Sequence, residues 1–143
     1  MAGNTVPIKG TAARIRYGTA GSGTLITYSL GWTMSCTCNT METTPQGASW
    51  ETFLADVGAW TASIEVLLCL GDASQLALLN SLLTTPGTLL TGATALSFDC
   101  EDTGDYFTGD SIVSNFQITS RKKDIVKGTI NVQGTGALTL TVA

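Results

Sequence analysis

From Ile26 the chain alternates apolar and polar residues without interruption. Ile26, Tyr28, Leu30, Trp32, Met34, Cys36 and Cys38 fall on one side, with Thr27, Ser29, Gly31, Thr33, Ser35, Thr37 and Asn39 on the other. Period-two alternation predicts a strand with one dry and one wet face. At about 3.3 Å per residue it would extend roughly 40 Å, well beyond an ordinary strand. The pattern returns at 60–70, where Trp60, Ala62, Ile64, Val66, Leu68 and Leu70 oppose Thr61, Ser63, Glu65, Leu67 and Cys69. At 106–119 it is less clean, with Ile112, Phe116 and Ile118 on a face opposite Ser111, Asn115 and Gln117. At 125–133, Val126, Ile130 and Val132 oppose Lys127, Thr129, Asn131 and Gln133. Shorter candidates are 12–17, with Ala13, Ile15 and Tyr17, and 95–100, with Leu96, Phe98 and Cys100.

One helix interrupts these strands, at about 72–84. Asp72 stands as N-cap with Gln75 three residues on, a capping-box spacing. Leu76, Leu79 and Leu83 recur at helical intervals, and Pro86–Gly87 stops the run. Residues 39–58, NTMETTPQGASWETFLADVG, have no steady period and read as a long inter-strand loop. The fold expected is mainly β: a β-sandwich or partly closed barrel, one flanking helix and that loop, in a single domain spanning 1–143.

Composition narrows the role. Charged residues are only 13% of the chain, against 43% hydrophobic, and the net charge is −4. So little charge points to a surface covered by other copies of the chain. Gripping nucleic acid would instead require Lys and Arg gathered on one face. The start lacks the apolar core of a signal peptide, and no run of about 18 apolar residues could span a bilayer, so we expect cytoplasmic synthesis and no membrane insertion. Histidine is absent, which removes the commonest metal ligand and the most adaptable general base.

Several stretches imitate chemical sites. Cys36 and Cys38, at i and i+2, would share a strand face. With no histidine a zinc site would need all four cysteines, and Cys69 lies on the opposite face of its own strand. The expectation is therefore buried small hydrophobes at the far end of a strand. Asp99, Glu101, Thr103, Gly104 and Asp110 loosely copy a calcium loop, but the flanks read as strands, so a hairpin turn around DTGD is preferred. GTAGSGT (18–24) has no Lys and does not lead into a helix, so it reads as a flexible connection rather than a phosphate cradle. Trp50 and Phe53 form either a local mini-core or an anchor into a neighbouring subunit. No catalytic constellation, cofactor site or metal site is expected.

The order of segments is more informative. YSLGWTMSCTC is followed by SWETF, DVGAWTASIEVLL, GDASQLALLNSLL, YFTGDSIVSNFQI and DIVKGTINVQGTGAL, covering about residues 24–140. This combination resembles the tail tube (major tail) proteins of long-tailed bacteriophages and gene transfer agents. It departs from them in SCTCN, where more acidic residues are expected. The resemblance implies a structural virion protein, made in the host cytoplasm and resident in the tail. Its subunits would form rings, commonly hexameric, stacked into a tube that conducts double-stranded DNA. Strands of neighbouring subunits would join into an inner barrel, while the long loop, with Glu42, Trp50, Phe53 and Leu54, and an N-terminal arm (1–20) bridge rings. A tape measure protein and tail tip and terminator proteins are the further partners implied. The channel lining would be the polar strand faces: Thr27, Ser29, Thr33, Ser35, Thr61, Ser63, Glu65, Asn115, Gln117, Lys127, Thr129, Asn131 and Gln133. The alternatives are an extracellular β-sandwich binding module, for example for carbohydrate, and a small calcium-binding enzyme domain. The first should show an aromatic platform and an export signal; the second should show a polar constellation.

Overall fold

The alternating segments do pair as strands, and the two longest reach further into 39–58 than the alternation indicates. A computed structural model describes residues 14–20, 22–26, 28–100 and 104–142. Ala13, Thr27, Glu101, Thr103 and most of the expected arm lie outside the described residues. In chain order the elements are β1 (Arg14–Tyr17), β2 (Thr24–Leu25), β3 (Ser29–Glu42), β4 (Phe53–Leu67), α1 (Ala73–Leu83) and β5 (Leu89–Leu90), then a 3-10 turn (Gly92–Thr94). After it come β6 (Leu96–Asp99), β7 (Tyr106–Gly109), β8 (Ser111–Thr119), β9 (Lys127–Gly134) and β10 (Thr139–Thr141). They form two antiparallel sheets, ordered β10-β7-β6-β1-β2 and β3-β4-β9-β8-β5. This is a β-sandwich with one helix.

Apolar faces of the two sheets meet in one core. Ile64, Val66, Val113, Ile130 and Val132 come from the larger sheet and Ile15, Leu96 and Phe98 from the smaller, all at most 2% exposed. Phe98 is the centre. Trp32 meets its ring edge-on at 5.4 Å between centroids, and Trp60 does so at 6.3 Å, the arrangement that aligns a ring's positive edge with its neighbour's negative face. On the smaller sheet Arg16 bonds Asp99 at 2.5 Å and the Gly23 carbonyl at 3.2 Å. The pair ties β1 to β6 and to the turn before β2. The glycine-rich 18–24 segment is thus a hairpin connection, closed by a Ser22 N–H bond to the Thr19 carbonyl at 3.0 Å.

The single pattern at 106–119 breaks into two strands that belong to different sheets. The chain crosses between sheets at Gly109–Asp110, and it crosses back after Gly134. Trp60 fills the corner. A Cβ at Gly109 would stand 3.0 Å from the indole, and one at Gly134 only 2.1 Å from it. At Gly134 the indole itself occupies the side-chain space, while at Gly109 the Ala137 carbonyl, 2.9 Å from where a Cβ would stand, closes it together with the indole. The crossings are also bonded to each other, with the Thr135 N–H on the Asp110 carbonyl at 2.9 Å.

The helix is where expected but rotated. Leu76 and Leu83 are exposed; Ser74, Gln75, Leu78, Leu79 and Ser81 are buried. Gln75 sets this orientation. Its carboxamide oxygen accepts the Cys69 N–H at 3.0 Å and its NH2 donates to the Leu67 carbonyl at 3.1 Å, satisfying backbone groups that β4 leaves at its end.

Half of the expected loop 39–58 is strand. Thr40, Met41 and Glu42 pair with Ala55, Leu54 and Phe53, so only residues 43–52 connect the strands. The connection closes through Thr43 N–H to Thr52 C=O (2.8 Å), Thr52 N–H to Thr44 Oγ1 (2.9 Å) and a turn at 45–48 with Gly47 at φ 86°. This hairpin projects past the smaller sheet, and residues 35–42 and 51–59 are exposed almost throughout. Cys36 and Cys38 are consequently exposed thiols, not core. The stripe continues in sequence, but among the described residues no strand of the smaller sheet covers it. Replacing both by Ser should shift stability by less than about 0.5 kcal/mol each, the range of exposed sites, rather than the roughly 1–3 kcal/mol of a buried pair. Urea unfolding midpoints of the two proteins check this.

Candidate functional site

The register assembles a polar face four strands wide. Directly opposed residues share a face, so the cross-strand rows can be read off. One row is Ser35–Thr61–Gln133–Ile112, the next Thr33–Ser63–Asn131–Asn115, the third Gly31–Glu65–Thr129–Gln117, and the last Leu67–Lys127–Thr119. Thr33, Ser35, Thr61, Ser63, Asn131 and Gln133 also line a shallow depression of about 200 Å³. Gln133 is held in place by its NH2, which donates to the Trp60 carbonyl at 3.2 Å.

Of the residues expected on this face, the structure brings together all those it describes except Ser29. A bulge at Leu30 puts Ser29 opposite Val66, on the core side, and leaves Leu30 55% exposed. A second bulge, at Ser114, changes parity within β8. Ile112 therefore stands opposite Gln133 while Phe116 stands opposite Ile130, and the two do not share a face as the sequence pattern implied. Beyond a third irregularity, between Cys38 and Thr40, Met41 with Leu54 and Glu42 with Phe53 continue the hairpin on opposite sides.

The rows are chemically quiet. Among their members only Glu65 and Lys127 are charged, one of each sign; apart from Gly31, Leu67 and Ile112 the rest offer hydroxyls and amides. The surface is predominantly polar, yet it lacks the clustered cations that hold phosphate by counterion release. Of the described carboxylates in the calcium-like stretch, Asp99 bonds Arg16 and Asp110 accepts the Thr91 hydroxyl at 2.6 Å. β6 and β7 flank that stretch as the expected hairpin, with Gly104 at φ 98°.

Two further features frame the face. Among the described residues, β3 pairs only with β4, and β8 beyond Ile112 pairs only with β9. Both lateral edges thus present unpaired backbone donors and acceptors, which invite another strand. The hairpin carries exposed apolar groups: Trp50 84%, Phe53 55%, Leu54 58% and Met41 57%. Among the described residues Trp50 and Phe53 form no mini-core. No helix among the described residues is long and apolar enough to cross a membrane.

No protein-family sequence model matches the chain, and no curated protein matches it by sequence. Solved structures do match in three dimensions. A chain from the virion of a native gene transfer agent particle superposes with a TM-score of 0.76 at 13% identity, covering 94% of this chain and 98% of the other. A chain from the tail of the empty gene transfer agent particle, determined with C6 symmetry, gives 0.73 at 16% identity and the same coverage. The SPP1 tail tube gives 0.71 at 14% identity, covering 96% of this chain and 81% of that one. Over nearly its whole length, this chain has the fold found in the SPP1 tail tube and in the tail of a gene transfer agent particle.

Proposed function

We propose that the protein is a tail tube subunit, a structural component of a virion tail that polymerises as stacked hexameric rings around a conduit for double-stranded DNA. One observation carries the reading: a neutral, hydroxyl- and amide-covered face bounded on both sides by open strand edges. Joining β3 of one copy to β8 of the next would pair those edges and make the polar rows continuous around a ring. Six copies of the four long strands, spaced about 4.8 Å and tilted about 40°, would close a barrel roughly 48 Å across at the backbone. That is wider than a DNA duplex. The apolar core then lies outside the wall and the wet face inside it. A tape measure protein filling the channel before DNA, and tip and terminator proteins closing the ends, complete the assembly that the resemblance implies. The protein acts here as a wall, not as an enzyme.

Negative-stain microscopy of the purified protein provides the test. Rings or tubes with an axial channel are expected, and cryo-EM averages should place Thr33, Thr61 and Thr129 on the channel surface. Featureless monomers at high concentration, or these side chains pointing away from the axis, would count against the reading.

A further inference from the structure

The two ends of the long sheet carry opposite charge, and both carry apolar side chains without a partner. At one end stands the β3–β4 hairpin with Glu42, Glu51 and Asp56, all exposed, beside Trp50, Phe53 and Leu54. The sequence holds no Lys or Arg between Arg16 and Arg121, so the hairpin has no cation of its own. At the other end the β8–β9 turn presents Arg121, Lys122 and Lys123, all exposed, with Lys127 at the start of β9. These are four of the chain's seven basic residues. Of the acids at this end, Asp124 accepts the Ile125 N–H at 2.8 Å within the turn and Asp72 stands at the start of α1. Ile125 and Leu70 are exposed nearby, at 62% and 59%.

The register keeps the two ends apart. Phe53 faces Glu42 at one end of β4, and Leu67 faces Lys127 at the other. The separation along β4 is about 45 Å at roughly 3.3 Å per residue. In a ring whose wall is this sheet, rotation puts every hairpin on one rim and every basic turn on the other. Such a head and tail make a heterologous contact, which does not close and so generates a filament. Like rims repel and unlike rims attract, which also fixes the polarity of growth.

We propose that rings stack by seating the acidic, apolar hairpin of one copy on the basic β8–β9 turn of a copy in the next ring. This rests on the tail tube reading and names the surface that receives the hairpin. The test reverses charge at exposed sites. R121E/K122E/K123E should still form rings, with unfolding midpoints close to those of the unaltered protein, but tubes at least about tenfold shorter. Adding E42K/E51K to the same chain exchanges the two signs and should restore tube length. Tubes of the unaltered protein should shorten on going from 0.1 to 1 M salt, as the screening length falls from about 10 to about 3 Å. Full-length tubes from the reversed variant, or no recovery on exchanging the signs, would overturn the proposal while leaving ring formation intact. If the reversal spared tubes but abolished retardation of a short DNA duplex, the turn would be a nucleic-acid contact and the proposal would fall. An unaltered protein that forms no rings would overturn the tail tube reading and this inference together.

Discussion

Gly134→Ala should be among the most damaging single-methyl changes in this protein, lowering stability by about 3 kcal/mol. The added Cβ would lie 2.1–2.3 Å from three atoms of the Trp60 indole. The indole itself cannot retreat, since Trp60 is 3% exposed and is packed edge-on to Phe98. Either the ring leaves its rotamer or β9 bends away where it leaves for the other sheet. Chemical unfolding of Gly134→Ala, Trp60→Ala and the double variant separates this contact from an ordinary glycine effect. Trp60→Ala alone should cost about 3–5 kcal/mol. On that background the Gly134 methyl should be nearly harmless, giving a coupling of the same order as the single effect. Equal costs with and without the indole would show that the contact is not the cause. Gly31→Ala is the control, because a Cβ there would meet nothing within 4 Å and the backbone is not in the left-handed region.

If the polar face lines a DNA channel as proposed, placing arginine at Thr33, Thr61 and Thr129 together should leave assembly intact and slow DNA ejection by about tenfold or more at low salt. Thr33 and Thr61 are exposed and Thr129 half-buried, and the three lie on different rows of the polar face. None contributes to the core, so the expected effect on folding is small. In a hexameric ring the substitution multiplies three cations by six around the channel. Each phosphate neutralised releases counterions, so retention should weaken steeply as salt rises. Single-particle ejection measured across a salt series, with lysine and glutamine variants at the same sites, distinguishes charge from bulk. Ejection as fast as that of unaltered particles at low salt, or equal slowing by glutamine, would show that these residues do not meet passing DNA.

Much of the architecture is legible in the chain because a strand packed on one side must alternate, and Trp32 to Met34 and Trp60 to Val66 do so. The polar rows were legible for the same reason, as the other half of the alternation. The short β1 and β6 were readable from Ile15, Leu96 and Phe98, since a few fully buried apolar positions suffice to mark a brief strand. The helix was legible from its Asp-x-x-Gln start and its Leu run, although its buried side was not. Leu76, Leu79 and Leu83 satisfy the helical period as well as Leu78 does. The choice fell to Gln75, whose amide bonds the end of β4 and turns the helix with it.

Alternation by itself determined which segments are strands and that one of their faces is wet. Only the tertiary structure decided where parity changes and where burial stops. A bulge inserts one residue without changing the composition of the strand, so nothing in the pattern announces that Ser29 turns to the core side or that Ile112 leaves the face of Phe116. Burial at Cys36 and Cys38 depended on whether the second sheet extends that far, a property of β6 and β7, which are each only four residues long. The hairpin at 39–58 looked aperiodic because its strands are not covered by the smaller sheet and so need no dry face. Pairing across β3 and β4 is made by backbone groups, which every residue there carries, and it leaves no trace in the order of apolar and polar side chains.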